Sequence, residues 1–491
     1  MPILPIKIPP GVYKNGTEYQ SKGRWSDADL VRWHEGAMRP IGGWRQHTTT
    51  AFSDKARAML AWGDNSGDRK ITIGTASSLY ALGEGTTLYN ITPTGLTAGS
   101  VDAFKATGYG SQLYGKHNYG TTRPDTATYQ PATTWSLDNW GENLVACSTS
   151  DGKIYEWSLV FATVAATVAN APVSNQGIVV TSERFLFALG AGGNNRKIQW
   201  SDQEDNTTWT PSATNQAGDV DLITDGEIRC GARVRGQTLI LTTTDAHAAT
   251  YQGAPYVYGF EKVGSACGII GPKALATVDT FAVWMGNSSF FVYDGYVKAL
   301  DCDVADFVFN NINVDQRAKI YGLLISQFNE VWWFYPSAGS TECDSYVSWD
   351  WVENHWNVGS LARTAGVDSS VFRSPFLAGT DGYMYEHETG FTYDSRTPYA
   401  ESGPLEIGSG ENVMNVTGMI PDEANLGDVQ AKFKTRFHPT DTERTYGPYS
   451  MTNPTSVRFT GRQVKMRVES AKNTDWRVGD MRLEGKVGGR R

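Results

Sequence analysis

Short runs of alternating apolar and polar residues, each broken by a turn, recur through the middle of the chain. They are KITIGTASSLYAL at 70–82, NLVACSTSDGKIYEW at 143–157, RFLFALGAGGNNRKIQW at 184–200, QTLILTTTDAHAATY at 237–251, FAVWMGNSSFFVYDGYVKAL at 281–300, NEVWWFYPSAGSTECDSYVSWDW at 329–351 and PFLAGTDGYMYEHETG at 375–390. Each reads as a β-hairpin: period-two alternation turns one strand face into a core, and pairs such as Asp151-Gly152 and Asp381-Gly382 supply the turn. Apart from one larger gap between the first two, the hairpins recur at roughly 40 to 55 residues, the spacing of four-stranded propeller blades. The pattern predicts an all-β chain: a β-propeller of about six to eight blades over 51–398, an N-terminal arm at 1–50 and a C-terminal antiparallel β-domain at 399–491.

In the arm, 29–33 reads as a strand and His34-Glu35-Gly36 as a turn, so the arm is placed to close the ring or to reach a neighbour. After the ring, Val429, Ala431, Phe433, Thr435 and Phe437 alternate with Lys432, Lys434 and Arg436, which predicts a strand with one buried and one basic face. Val464, Met466 and Val468 repeat the pattern against Lys465, Arg467 and Glu469. The larger gap holds GYGSQLYGKHNYGTTRPDTATYQP at 108–131, which fits a long loop better than a blade. Its Tyr109, Tyr114, His117 and Tyr119 make it a candidate gate or partner loop, because glycine gives mobility and tyrosine gives adhesive area at low entropic cost.

Charge sharpens this division. The chain of 491 residues carries a net −9, yet 431–491 holds 14 basic against 6 acidic residues and the first 430 hold 29 against 46. An acidic body with a basic end suggests interfaces between unlike surfaces, and Arg32, Trp33, Lys432, Lys434 and Arg436 are candidate subunit or adaptor contacts. The acidic balance argues against sequence-specific nucleic-acid binding. Acidic groups such as Asp202, Glu204, Asp205 and Asp219, Asp221, Asp225 are expected in inter-strand loops. The five cysteines include no Cys-x-x-Cys pair and read as reduced core residues. The proline-rich start MPILPIKIPPGVYKNG has no secretory pattern, and Leu159 to Val173 is too short and polar for a membrane anchor, so neither export by that route nor anchoring is expected.

A search for chemistry returns absences. There is no His-Glu-x-x-His, no Gly-x-Ser-x-Gly and no Gly-x-x-x-x-Gly-Lys-Ser/Thr, and none of the seven histidines has metal-ligand spacing. His34, His247, His355 and His387 sit in aromatic hairpin contexts that suit ordinary core hydrogen bonding. The turn WSDQEDNTTW at 200–209 only distantly resembles the Asp-containing turn of sialidase propellers. The expectation is a non-enzyme without cofactor or metal.

The runs DLVRWHEGAMRPIGGW at 29–44, TTWSLDNWGENLVACSTSDGKIYEW at 133–157, IQWSDQEDNTTWTPSATNQAGD at 198–219, NEVWWFYPSAGS at 329–340, DGYMYEHETG at 381–390 and WRVGDMRLEGKVGGRR at 476–491 resemble the tail nozzle proteins of short-tailed bacteriophages. These are also called tail tubular or packaged-DNA stabilisation proteins. The resemblance implies a structural virion protein, made in the host cytoplasm and built into the virion tail as a hexameric ring of propeller subunits. Its partners would be further copies of itself, a tail adaptor ring and tail fibres or spikes, with double-stranded DNA passing through during ejection. Two other roles stay open: a glycan-binding or glycan-cleaving propeller at the tail tip, and a distal-tail or head-completion component of a long-tailed phage.

Overall fold

The computed structural model describes residues 3–105, 129–406, 410–439 and 441–489. Seven four-stranded antiparallel sheets form a β-propeller, within the range that the hairpin spacing predicts. The blades, numbered here in chain order, begin with the innermost strands Ala56–Gly63, Trp135–Trp140, Gly177–Val180, Ile228–Val234, Leu275–Val278, Tyr321–Ile325 and Arg363–Val367. Neighbouring innermost strands pack side by side round the whole circuit, the seventh against the first, which closes the ring. Every patterned hairpin in the sequence holds the second and third strands of one blade, because those strands are covered on both faces by the adjoining blades. Asn143–Ser148 and Glu330–Tyr335, for example, are almost wholly buried.

Blades pack by large side chains against small ones. Trp135 of blade 2 is 1% exposed and its Nε1 donates to the Thr75 carbonyl at 2.6 Å. It lies over Gly74 of blade 1, where a Cβ would meet the indole at 2.5 Å, so the wedge between the two blades needs glycine there.

The seventh blade is closed by the arm: Trp44–Gln46 pairs with Met384–His387 as its outermost strand. Trp44 stacks on His387 at 5.4 Å, and its Nε1 donates to Asp394 at 2.7 Å. The arm is not a separate unit. Ile3–Ile6 completes a four-stranded C-terminal sheet, and Trp25–Asp29 is the edge of a five-stranded one beside Tyr399–Ser402. The strand expected at 29–33 is broken at Leu30, whose φ of 57° turns the chain out of that sheet and into a hairpin of Val31–His34 with Ala37–Pro40. Glu35 and Gly36 both have positive φ, which makes the two-residue turn that matches strand twist.

The two C-terminal sheets face each other through the apolar residues that alternation predicts, with Phe433 stacked on Phe459 at 4.5 Å. Their core continues through Trp25, Trp33 and Trp356 into blades 4, 5 and 6, so the sandwich and that part of the ring share one apolar interior. No helix among the described residues is long and apolar enough to cross a membrane. The five cysteines form no disulfide.

Candidate functional site

The most developed polar cluster sits at one mouth of the ring. Arg57 is the second residue of the innermost strand of blade 1, and Lys319 ends the 3-10 turn Val314–Lys319 that leads into blade 6. Both side chains are fully enclosed, at 1% and 0% exposure, and both converge on Glu342, in the turn between the second and third strands of blade 6. Arg57 binds that carboxylate through two nitrogens at 2.8 and 2.7 Å, and Lys319 reaches it at 2.9 Å. Lys319 also pairs with Asp102, and Arg57 donates to the Val101 carbonyl at 3.0 Å. Burial pushes the Glu342 carboxyl up, but Arg57 and Lys319 outweigh it and hold the group below its usual range.

This cluster ties blades 1 and 6 together past the intervening blade 7, and it anchors the connection from blade 1 to blade 2. Gln316 clasps Ala103 with a pair of hydrogen bonds at 2.9 and 3.0 Å. Just beyond, Phe104–Lys105 pairs with Tyr129–Gln130, and the Tyr129 hydroxyl donates to the Asp315 carbonyl at 2.7 Å. The candidate gate residues Tyr109, Tyr114, His117 and Tyr119 lie outside the described residues, but both ends of their segment are fixed on this cluster. Sequence reading missed Arg57, Asp102, Lys319 and Glu342, because their only local signal is single charges beside apolar strands.

A second polar region lies inside the ring, where a cavity of about 250 Å³ is lined by Trp135, Asp138, Arg229, Cys230, Arg233 and Lys273 from blades 2, 4 and 5. Arg233 pairs with Asp138 at 2.9 Å, and burial raises the Asp138 carboxyl above its ordinary value. Burial lowers Lys273 and pushes the Cys230 thiol up to about 12, which leaves that thiol unreactive. The lining can hold a small anion. It does not set a nucleophile beside a base.

The five contact candidates make their partners within the chain. Arg32 is 1% exposed, lies 3.7 Å from the centre of the Phe328 ring, and pairs with Glu388 at 2.7 Å and Glu330 at 3.1 Å. Burial opposes its charge, but the two carboxylates raise its pKa above the ordinary value. Trp33 is buried against Trp25 at 5.9 Å. Lys432 pairs with Glu469 at 2.5 Å, Lys434 with Glu401 at 2.8 Å and Arg436 with Glu18 at 3.0 Å. The basic stripe is therefore neutralised by acids from the arm and neighbouring strands, which charge counting could not show. More open cations on the C-terminal sheets are Arg458, Arg482 and Lys486, all exposed.

Of the acidic groups expected in loops, Asp219 and Asp221 instead stand in the outermost strand of blade 3, and Lys197 pairs with Asp219 at 2.7 Å. Asp205 caps its own turn, accepting from Thr207 and Thr208, so the sialidase-like segment serves to build a turn. His387 accepts from Arg363 at 2.8 Å, the ordinary core role expected of it.

No protein-family model matches the chain, and no curated protein does. Among solved structures it is similar to a catalytically inactive virginiamycin B lyase from Staphylococcus aureus, at 6% identity and a TM-score of 0.41 over 70% of this chain and 98% of that one. It is also similar to the Pan2 WD40 domain of Neurospora crassa, at 10% identity and 0.40 over 70% and 95%. A third likeness is to the AfRom2 CNH domain, at 12% identity and 0.33 over 54% and 89%. None of these likenesses carries chemistry to this chain.

Proposed function

We propose that the chain is a structural subunit of a short-tailed bacteriophage virion. In this reading it forms the tail nozzle, a ring of about six copies that retains the packaged genome and lets it pass during ejection. The observation that supports it best is the threading of the arm. Three strands within the first 46 residues complete three different sheets, so propeller and sandwich are joined as one stiff body, as a load-bearing conduit requires. The residue runs that resemble nozzle proteins lie on this same framework.

The mouth cluster is the proposed base of the gate, and the Gly-Tyr loop, Gly108 to Gly120, the proposed gate or partner loop. Exposed C-terminal cations are the surface offered to neighbouring copies or to the adaptor ring, in place of the internally paired stripe. The conduit wall is acidic or neutral, because each neutralised phosphate would add salt-dependent affinity and slow sliding. Deleting 109–119 tests the gate: particles should assemble and lose packaged DNA, whereas unchanged assembly and retention would make the segment a decoration. Incubating the purified protein with host surface polysaccharide tests the glycan alternative, and depolymerisation would displace the nozzle reading.

A further inference from the structure

The turn of the arm hairpin rests against the turn joining the third and fourth strands of blade 6. Here His34, Asp350 and Glu353 bring one imidazole nitrogen and two carboxylate oxygens within 4.8 Å of one another. Asp350 is 3% exposed. Its Oδ1 accepts from the backbone N–H groups of Val352 and Glu353, at 2.8 and 2.7 Å, and no lysine or arginine pairs with it among the described residues. Glu353 uses Oε1 to accept from the Glu35 N–H at 2.6 Å, which leaves Oε2 turned to His355 Nδ1 at 3.9 Å. His355 is 7% exposed, its ring hydrogen-bonds the Trp33 backbone, and buried Nδ1 has no hydrogen-bond partner.

We infer that His34, Asp350 and Glu353, with the unpartnered His355 imidazole beside them, form a binding site for a divalent transition metal of the zinc type, which fastens the arm to blade 6. Arg32 is committed to Glu330 and Glu388 and Arg39 to Asp475, so among the described residues no lysine or arginine pairs with Asp350 or Glu353. A buried carboxylate in that position is costly unless a cation joins it. One imidazole nitrogen with two carboxylate oxygens is a mixed donor set that zinc takes as three protein ligands with a fourth position open, whereas calcium and magnesium take all-oxygen shells. His34 comes from the arm and the two carboxylates from one turn of blade 6, so the ion would act as a clasp across the junction. Sequence spacing conceals the site, since His34 lies more than 300 residues from the blade 6 turn and meets it only through the fold. The site stands whatever the role of the ring.

The test uses the full chain, stripped with a chelator and titrated with zinc chloride, and separately with cobalt chloride, magnesium chloride and calcium chloride. Wild type should bind one zinc ion per chain, give the visible absorption of tetrahedral cobalt, and melt at a higher temperature with zinc. His34→Ala and Glu353→Gln each change a residue at the junction surface, so both should keep the wild-type circular-dichroism spectrum while losing at least about tenfold in zinc affinity and the thermal shift. Should His34→Ala not fold, Glu353→Gln alone decides. No zinc binding, zinc binding unchanged in the folded variants, or a thermal shift with calcium or magnesium equal to that with zinc would each overturn the inference.

Discussion

Six of the seven blades are made from strands consecutive in the chain, whereas each C-terminal sheet includes a strand from the arm, hundreds of residues away. The ring therefore grows by local hairpins, with one long-range closure at Trp44–Gln46, while the sandwich, apart from the hairpin of Val429–Arg436 with Arg444–Ser450, is built from long-range pairings. Long-range pairings come late and carry a larger loop-closure entropy, so the residues that secure them must be strong. The ion pairs follow that division. Glu18 of the arm, Glu401 and Glu469 neutralise the cations of the five-stranded sheet, and Arg32 fixes the arm to blades 6 and 7. Cutting long-range fasteners should therefore cost more than cutting contacts within a blade.

The largest expected effect is at Arg32. Replacing it with alanine leaves Glu330 and Glu388 buried without their cation, a loss of about 3–5 kcal/mol of unfolding free energy. Urea denaturation measures it, and a loss under about 1 kcal/mol would mean that the arm is not fastened there.

Next comes the basic stripe. Reversing Lys432, Lys434 and Arg436 to glutamate sets like charges beside Glu469, Glu401 and Glu18, so the subunit itself should lose about 2 kcal/mol, before any effect on assembly. Exchanging only Lys434→Glu with Glu401→Lys should recover most of the loss seen with Lys434→Glu alone. A triple variant as stable as wild type would show that the pairs are incidental.

Acid should loosen the ring mouth more gently. Glu342 is held below its ordinary value of about 4.5, so the stability that it contributes is complete above that value and is lost as the pH falls through its lower folded value. Hydrogen exchange at the Ala103 amide, corrected for intrinsic rate, should accelerate as the pH falls below about 4.5, and Glu342→Gln should abolish that dependence. Protection that is flat with pH would detach the cluster from the mouth.

The smallest effect is expected within a blade. Arg69 and Glu84 stand 3.8 Å apart with half or more of each side chain in water, so Arg69→Ala should change stability by less than about 0.5 kcal/mol. A larger loss would blur the distinction between fasteners and surface pairs.

This same division explains what could be read from the sequence. The middle strands of every blade were legible because burial on both faces enforces their pattern, as in the run Val331 to Tyr335. Outermost strands were not: Ala166–Thr167 is exposed at both residues and carries no apolar signal. Alternation located the inward face of Val429–Arg436, yet it could not reveal that Lys434 meets Glu401 or that Arg436 meets Glu18. Arg32 looked like a surface contact because the carboxylates that bury it are about 300 residues or more away in sequence and not the nearby Asp29 or Glu35; they arrive from blade 6 and from the turn after Met384–His387. The mouth cluster and the His34 site were hidden for that reason too.

The nozzle reading turns on how many copies a particle holds and where they sit. Quantitative mass spectrometry of purified virions, combined with imaging of antibody-labelled tails, measures both. The account predicts about six copies per particle, gathered at the distal end of a short tail. Fewer copies placed at fibre tips, or a position along a long tail, would contradict it.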